Sequence, residues 1–375
     1  MIYEELKQYM LDYGYKEEEV ITILDSERNK KADLESLFLK IKVINIYFEK
    51  IGYTHDNVIK ITKKLPTIYL FKTENIDKKF KDLTTLGYTY KDAVNMGKLS
   101  TAIFSHSIHT IKLKIENLMK LGFNYNEVIK ITKKFPAIFS YSNEYIEHKF
   151  LDLMSLGFNK KDIIKITKMM PAIIGYNIES VKKRIEDIMS LGYNKNEVIK
   201  MIKTFPTIYG LNIDNLKKKI EDMVLLGYTK EEVIKISILC PAIYIMNFET
   251  IKNKLNVILD FDYSLKETLQ IIKEFPYILA SKEENIRQKL QFYKFIGLDK
   301  IVINKPKQLI QSVELSYARY MFYLSKGVVI TESNCKKLFM DQKQFKKIYK
   351  LDNNQLIKMF DYEQFIKNTE FKKNI

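Results

Sequence analysis

Eight basic residues occupy one slot of a repeating frame: Lys79, Lys114, Lys149, Arg184, Lys219, Lys254, Lys289 and Arg319. The first seven are 35 residues apart, and Arg319 lies thirteen residues after Pro306, the offset that the others keep from their own proline or, at Lys114, from Thr101. A codon bias toward lysine does not explain the column, because the slot just before it holds Lys78, Leu113, His148, Lys183, Lys218, Asn253 and Gln288. An intrahelical pair with the acid three residues on (Asp82, Asp152, Asp187, Asp222) is the local explanation. That acid is missing where Asn117, Val257 and Phe292 stand, yet the cation stays. The column is therefore expected to meet an anion outside its own helix, and a fixed row of cations with no nucleophile or base beside it suits phosphate.

Two further files share another face. Lys60, Lys130, Lys165, Lys200 and Lys235 lie eight residues after a recurrent glycine, and Lys63, Lys98, Lys133, Lys168, Lys203 and Lys273 lie eleven after it. Three residues apart on a helix, they are neighbours. They read either as phosphate contacts or as an ordinary solvated surface. The slot twelve after the glycine varies: Lys64, Leu99, Lys134, Met169, Thr204, Leu239, Glu274. A variable position in a regular frame fits base readout, and equally an unconstrained surface. Phosphates carry no sequence information directly. With Arg28, Arg184, Arg287 and Arg319 as the whole arginine supply, guanine forks must be sparse.

Other chemistry is not apparent. His55, His106, His109 and His148 do not combine with Cys240 or Cys335 at zinc-ligand spacing, and His106-x-x-His109 has no carboxylate near it in sequence. No phosphate-binding glycine loop or nucleophile motif occurs. The chain is expected to be no enzyme, with no cofactor and no metal. Cys240 falls on a slot that other repeats fill with Phe, Leu or Met, a core position, so a reducing compartment is expected. The net charge of +16 favours polyanionic partners. No apolar run reaches membrane-spanning length, and no membrane partner is expected. The first residues, rich in Glu, do not resemble an organellar presequence. The expectation is an organelle matrix with the presequence missing, or a bacterial cytoplasm.

The frame that positions these residues has a period of 35. Gly52, Gly87, Gly122, Gly157, Gly192 and Gly227 keep it, Asp262 and Gly297 continue it, and Pro66, Pro136, Pro171, Pro206, Pro241 and Pro276 keep the same beat. Thr101 fills the one missed proline slot, and Gly327 closes a unit shortened by five residues. Each unit reads as two helices: Gly ends one, Thr or Asn caps the next, and Pro stops that helix before a short bend. Val198, Met201 and Phe205 form the apolar stripe of a first helix, and Leu216, Ile220, Met223 and Leu226 that of a second. Such hairpins bury their stripes only by stacking. The expected fold is all-α, a curved solenoid of about eight to nine two-helix repeats and a monomer. A degenerate first repeat or cap spans 1–51, the eight-unit array 52–327, and a helical cap 328–375. Helices pack about 8–10 Å apart, so eight units advance about 70–80 Å, a length matched to double-stranded nucleic acid.

The unit LGYNKNEVIKMIKTFPTIYGLNIDNLKKKIEDMVLLG resembles the repeat of the mitochondrial transcription termination factor (mTERF) family. The likeness lies in the Leu-Gly opening, the helix ending at proline, the short apolar turn and the basic residue before IEDMVLLG. KPKQLIQSVELSYARYMFYLSKG resembles that family's last repeats, and LFMDQKQFKKIYK its C-terminal cap. The resemblance runs from about Gly52 onward and implies a solenoid that binds double-stranded DNA along a basic concave path and regulates or terminates transcription. An RNA- or protein-binding helical scaffold is the alternative. A more distant likeness to TAL-effector-like repeats lacks their paired specificity residues.

Overall fold

A computed structural model describes residues 2–26, 29, 32–363 and 366, and among these every regular element is helical. The chain forms two compact units, Met1–Lys183 and Arg184–Ile375. The cut falls inside the helix Ile178–Met189, within the repeat array rather than at either end of it.

The repeat is a helix, a five-residue 3-10 helix and a second helix. In the unit after Gly192 these are Lys195–Thr204, Pro206–Gly210 and Ile213–Leu225. The proline does stop the first helix, but the segment it opens is more regular than a bend. Phe205 leaves the helical region (φ −142°, ψ 73°), and Pro206 begins the 3-10 helix at its first position, where a missing amide costs nothing. Thr101, in the unit without proline, is succeeded by the four-residue α-helix Ala102–Ser105 instead. Most first helices begin with capping boxes, as in Asn124 with Glu127 and Asn194 with Glu197, which satisfy two otherwise orphaned amides reciprocally, whereas Asp299–Asn304 follows Leu298 without one. The recurrent glycines have φ between 68° and 117°, the left-handed stop that an L side chain resists, and Asp262 adopts φ 67° in the slot where glycine is missing.

In the first unit, the first helices Glu17–Leu24, His55–Lys64, Tyr90–Leu99, Tyr125–Lys134 and Lys160–Met169 pack in sequence, each on the next. In the second unit, Lys195–Thr204, Lys230–Leu239, Leu265–Glu274 and Asp299–Asn304 do the same. The predicted stripes face inward: Val198, Met201, Leu216, Ile220 and Met223 are buried, with Phe205 and Leu226 half-buried at the helix ends. Cys240 is buried in the slot before its proline. The C-terminal segment adds a 3-10 helix, Cys335–Phe339, and the helices Gln342–Tyr349 and Asn353–Met359.

A second, polar register runs through the core. In some repeats the tyrosine after the glycine reaches the tenth residue of the next repeat, whereas Tyr228 donates to the Leu269 carbonyl at 3.3 Å. Tyr88 Oη lies 2.6 Å from Thr132 Oγ1, and Tyr193 Oη lies 2.5 Å from Ser237 Oγ. Tyr53, facing Gly97 in that slot, donates instead to the Val94 carbonyl at 3.0 Å. A Cβ on Gly97 would sit 2.5 Å from the Tyr53 hydroxyl, so the glycine makes the room. These buried hydroxyls each have a partner, as burial demands.

Candidate nucleic-acid interface

The sequence marks out three basic files, and the structure places them in three different environments. The eight-member column lies on the second helices, and every member donates to backbone carbonyls of the following repeat or, for Arg319, of the C-terminal segment. Lys79 Nζ reaches His106 O at 2.5 Å, Lys114 reaches Tyr141 O at 2.5 Å, and Lys149 reaches Tyr176 O at 2.6 Å. Lys219 reaches Met246 O at 2.7 Å, Lys254 reaches Leu279 O at 2.5 Å, and Lys289 reaches Leu309 O at 2.5 Å. Arg184 donates to the Ile208 and Leu211 carbonyls, and Arg319 to Leu338 O at 2.9 Å and Met340 O at 2.6 Å. Most acceptors lie at the end of the following 3-10 helix or, at His106, of the short helix that replaces it, where carbonyls run short of intrahelical donors, whereas the Ile208 carbonyl also accepts from the Leu211 amide. Lys149, Lys219 and Arg319 are at most 8% exposed, and the others are half-buried. Burial pushes the ammonium groups of Lys79, Lys114, Lys149, Lys254 and Lys289 below the ordinary lysine value, and Arg184 and Arg319 below that of arginine. In place of an anion the column meets neutral carbonyl dipoles of the chain itself, and Lys149 and Lys219 also lie near acids of their own helices, Asp152 at 4.0 Å and Asp222 at 3.6 Å.

The file eleven after the glycine ties first helices together. Lys63 pairs with Glu19 at 2.5 Å, Lys133 with Asp92 at 2.9 Å, Lys168 with Glu127 at 2.7 Å and Lys273 with Glu232 at 3.0 Å. Each acid is the capping-box residue of the preceding repeat. Where that residue is Asn57, Lys98 turns to the Gly52 carbonyl at 2.6 Å. Lys203 also has a partner. The bond from Lys168 and the Asn124 amide hold the Glu127 carboxyl below the usual glutamate value. At Glu19 and Glu232 the capping amide contributes most and the lysine next.

The file eight after the glycine differs. Lys60, Lys130, Lys165, Lys200 and Lys235 are all exposed and have no hydrogen-bond or ion-pair partner among the described residues. One turn on, the variable slot is exposed throughout: Lys64, Leu99, Lys134, Met169, Thr204, Leu239 and Glu274. Thr204 Oγ1 turns back to its own helix, onto Lys200 O at 3.1 Å and Met201 O at 3.0 Å. In the second unit an opening of about 460 Å³ separates Lys235, Ile238 and Leu239 from Lys273 and Glu274, with Glu232 beside them. Arginine offers little for base readout. Arg184 and Arg319 are held by carbonyls, Arg287 is paired with Asp260 at 2.8 Å, and Arg28 lies outside the described residues.

Among the described residues no helix is long and apolar enough to cross a membrane, and no group of three or more His, Cys, Asp or Glu is placed to hold a metal. The mTERF family model matches residues 5–120, 109–225 and 223–346, nearly the full length. The chain belongs to the mTERF family. mTERF proteins are nucleic-acid-binding helical-repeat proteins, and the repeated helix, 3-10 helix and helix of this chain are its version of that architecture. No curated protein matches this mTERF chain.

Proposed function

We propose that this chain binds double-stranded DNA through the exposed lysine file Lys60, Lys130, Lys165, Lys200 and Lys235, and regulates or terminates transcription as a bound obstacle to polymerase. The observation that carries the reading is the contrast between files: two are committed to neighbouring repeats, and the third is exposed and makes no hydrogen bond or ion pair among the described residues, although Glu127 lies near Lys130 and Glu231 and Glu232 near Lys235. Lysine is a compact point charge on a flexible stem, suited to phosphate and poor at bidentate base recognition. Affinity is then mainly electrostatic. Sequence preference comes from the variable slot (Lys134, Met169, Thr204, Leu239, Glu274) and from the deformability of the duplex. Fluorescence anisotropy with duplex DNA, single-stranded RNA and heparin tests this. Duplex DNA is expected to bind more tightly than single-stranded RNA of equal length, with affinity falling linearly in log salt. Tight RNA binding without duplex binding would make the chain an RNA scaffold; no nucleic-acid binding at all would leave a protein scaffold.

A further inference from the structure

We infer that the outer face of the helix Leu34–Lys50 docks a second copy of this chain, through the same helix packed antiparallel. In the first unit this helix packs on Ile2–Tyr13 and on Thr73–Thr84. Its inward stripe, Leu37, Ile41, Ile44 and Phe48, is buried. Its outward side carries a second stripe, Leu39, Val43 and Ile46, which are 65%, 46% and 62% exposed. Steps of four and three residues keep these on one face. They stand 13, 9 and 6 residues before Gly52. In the next seven repeats the first of these slots holds acids, such as Glu74 and Asp214, or His109. The other two hold polar residues, such as Lys78, Lys81 and Glu221, except at Leu113 and Leu151. Where both turn apolar again, at Ala318 and Met321 of the last repeat, the helix packs on Asn353–Met359 and Ala318 is buried. The stripe on Leu34–Lys50 is thus no ordinary solvated outside, and such apolar patches mark contact surfaces.

The ends of the stripe point to the occupant. Glu35 lies one turn before Leu39 and Lys50 one turn after Ile46, both exposed and with no hydrogen bond or ion pair among the described residues. The pairs Leu39 with Ile46 and Glu35 with Lys50 are centred on one point beside Val43. A two-fold axis there sets Val43 on Val43, Leu39 on Ile46 and Glu35 on Lys50 of the copy. Apolar meets apolar and acid meets cation, the self-complementarity that a two-fold contact requires. Lys42 is clear of the stripe, its ammonium lying 4.0 Å from the Phe38 ring centroid. The helix carries none of the free lysine file, so the inference stands apart from nucleic-acid binding. One helix pair is smaller than a standard interface, so this dimer, in place of the monomer expected for the array, forms in the micromolar range.

Sedimentation equilibrium of the full chain tests this, over about a hundredfold range of concentration in about 0.15 M salt to screen the net charge of +16. The wild type is expected to pass from one chain to two. Val43→Glu sets two carboxylates on the axis and is expected to leave a monomer with unchanged Tm. Glu35→Lys and Lys50→Glu each set like charges together and are expected to weaken the dimer about fivefold, whereas the double variant restores it. Both changes oppose the helix dipole, so recovery in the double variant cannot come from a steadier helix. A monomer at every concentration overturns the inference and leaves the face to a different partner. A dimer that survives Val43→Glu also overturns it, as does a double variant weaker than either single one.

Discussion

Thr167 shows how far the polar register reaches. Its buried hydroxyl has no hydrogen-bond partner among the described residues, whereas Thr132, one repeat earlier, faces Tyr88. The residue that stands to Thr167 as Tyr88 stands to Thr132 is Phe123, which has no hydroxyl to offer. Phe123→Tyr is expected to stabilise the protein by about 1 kcal/mol, the net worth of one buried hydrogen bond, read as a raised denaturation midpoint at unchanged m-value. A lower midpoint would mean that the space beside Thr167 is already filled. Part of this register was open to a reader of the sequence, since the aromatic and the glycine keep the same beat. The fate of the eight-member basic column was not. Its acceptors are backbone carbonyls 19 to 27 residues on, in the next repeat, and a carbonyl has no residue type to recur. The missing acids at Asn117, Val257 and Phe292 show that an intrahelical pair is not the whole account, although Lys149 and Lys219 do pair within their own helices with Asp152 at 4.0 Å and Asp222 at 3.6 Å, and an outside ligand and a neighbouring repeat leave the same signature in sequence.

Between elements, the tie from the second lysine file was legible in principle. The acids Glu19, Asp92, Glu127 and Glu232 and the lysines Lys63, Lys133, Lys168 and Lys273 are each six positions plus one repeat apart, except at the longer first repeat, and Lys98 changes partner where the acid gives way to Asn57. Periodicity within a helix drew attention to Lys63 and its counterparts as surface, and the pairing becomes visible only when repeats are laid over one another. The ties have a pH signature. Glu19, Glu127 and Glu232 have folded values below 4.5, and Asp92 below 3.8 although burial opposes it, because the Thr89 amide and then Lys133 hold it down. A depressed carboxyl binds fewer protons folded than unfolded, so its contribution is complete above the unfolded value and is lost as pH falls through the folded one. Thermal stability is expected to hold from pH 7 to about 5 and to decline below about pH 4.5. Lys168→Gln should make that decline shallower, measured as Tm against pH. An identical decline in wild type and variant would show that the tie between Lys168 and Glu127 adds nothing to the folded state. The helix boundaries, by contrast, were plain from Gly, Pro and the caps. The five-residue 3-10 helix was not, because PTIYG carries no periodicity long enough to read.

At the scale of the whole molecule, a net charge of +16 does not say which cations are available. Neighbouring repeats take the eight-member column and most of the second file, and the remaining regular file is Lys60, Lys130, Lys165, Lys200 and Lys235. The most direct test is the salt dependence of duplex binding for three proteins: the wild type, the five-lysine variant with Gln at those positions, and a variant with Gln for Lys79, Lys114 and Lys254. Each phosphate contact contributes about 0.9 to the log–log slope, so the five-lysine variant is expected to lose about 4.5 while its Tm stays unchanged. The second variant is expected to keep the wild-type slope and to unfold at a lower temperature, because the carbonyls of His106, Tyr141 and Leu279 lose their donors. The reverse outcome, a flattened slope with intact Tm in the second variant and an unchanged slope in the five-lysine variant, would show that the nucleic acid is held by the column that otherwise joins one repeat to the next.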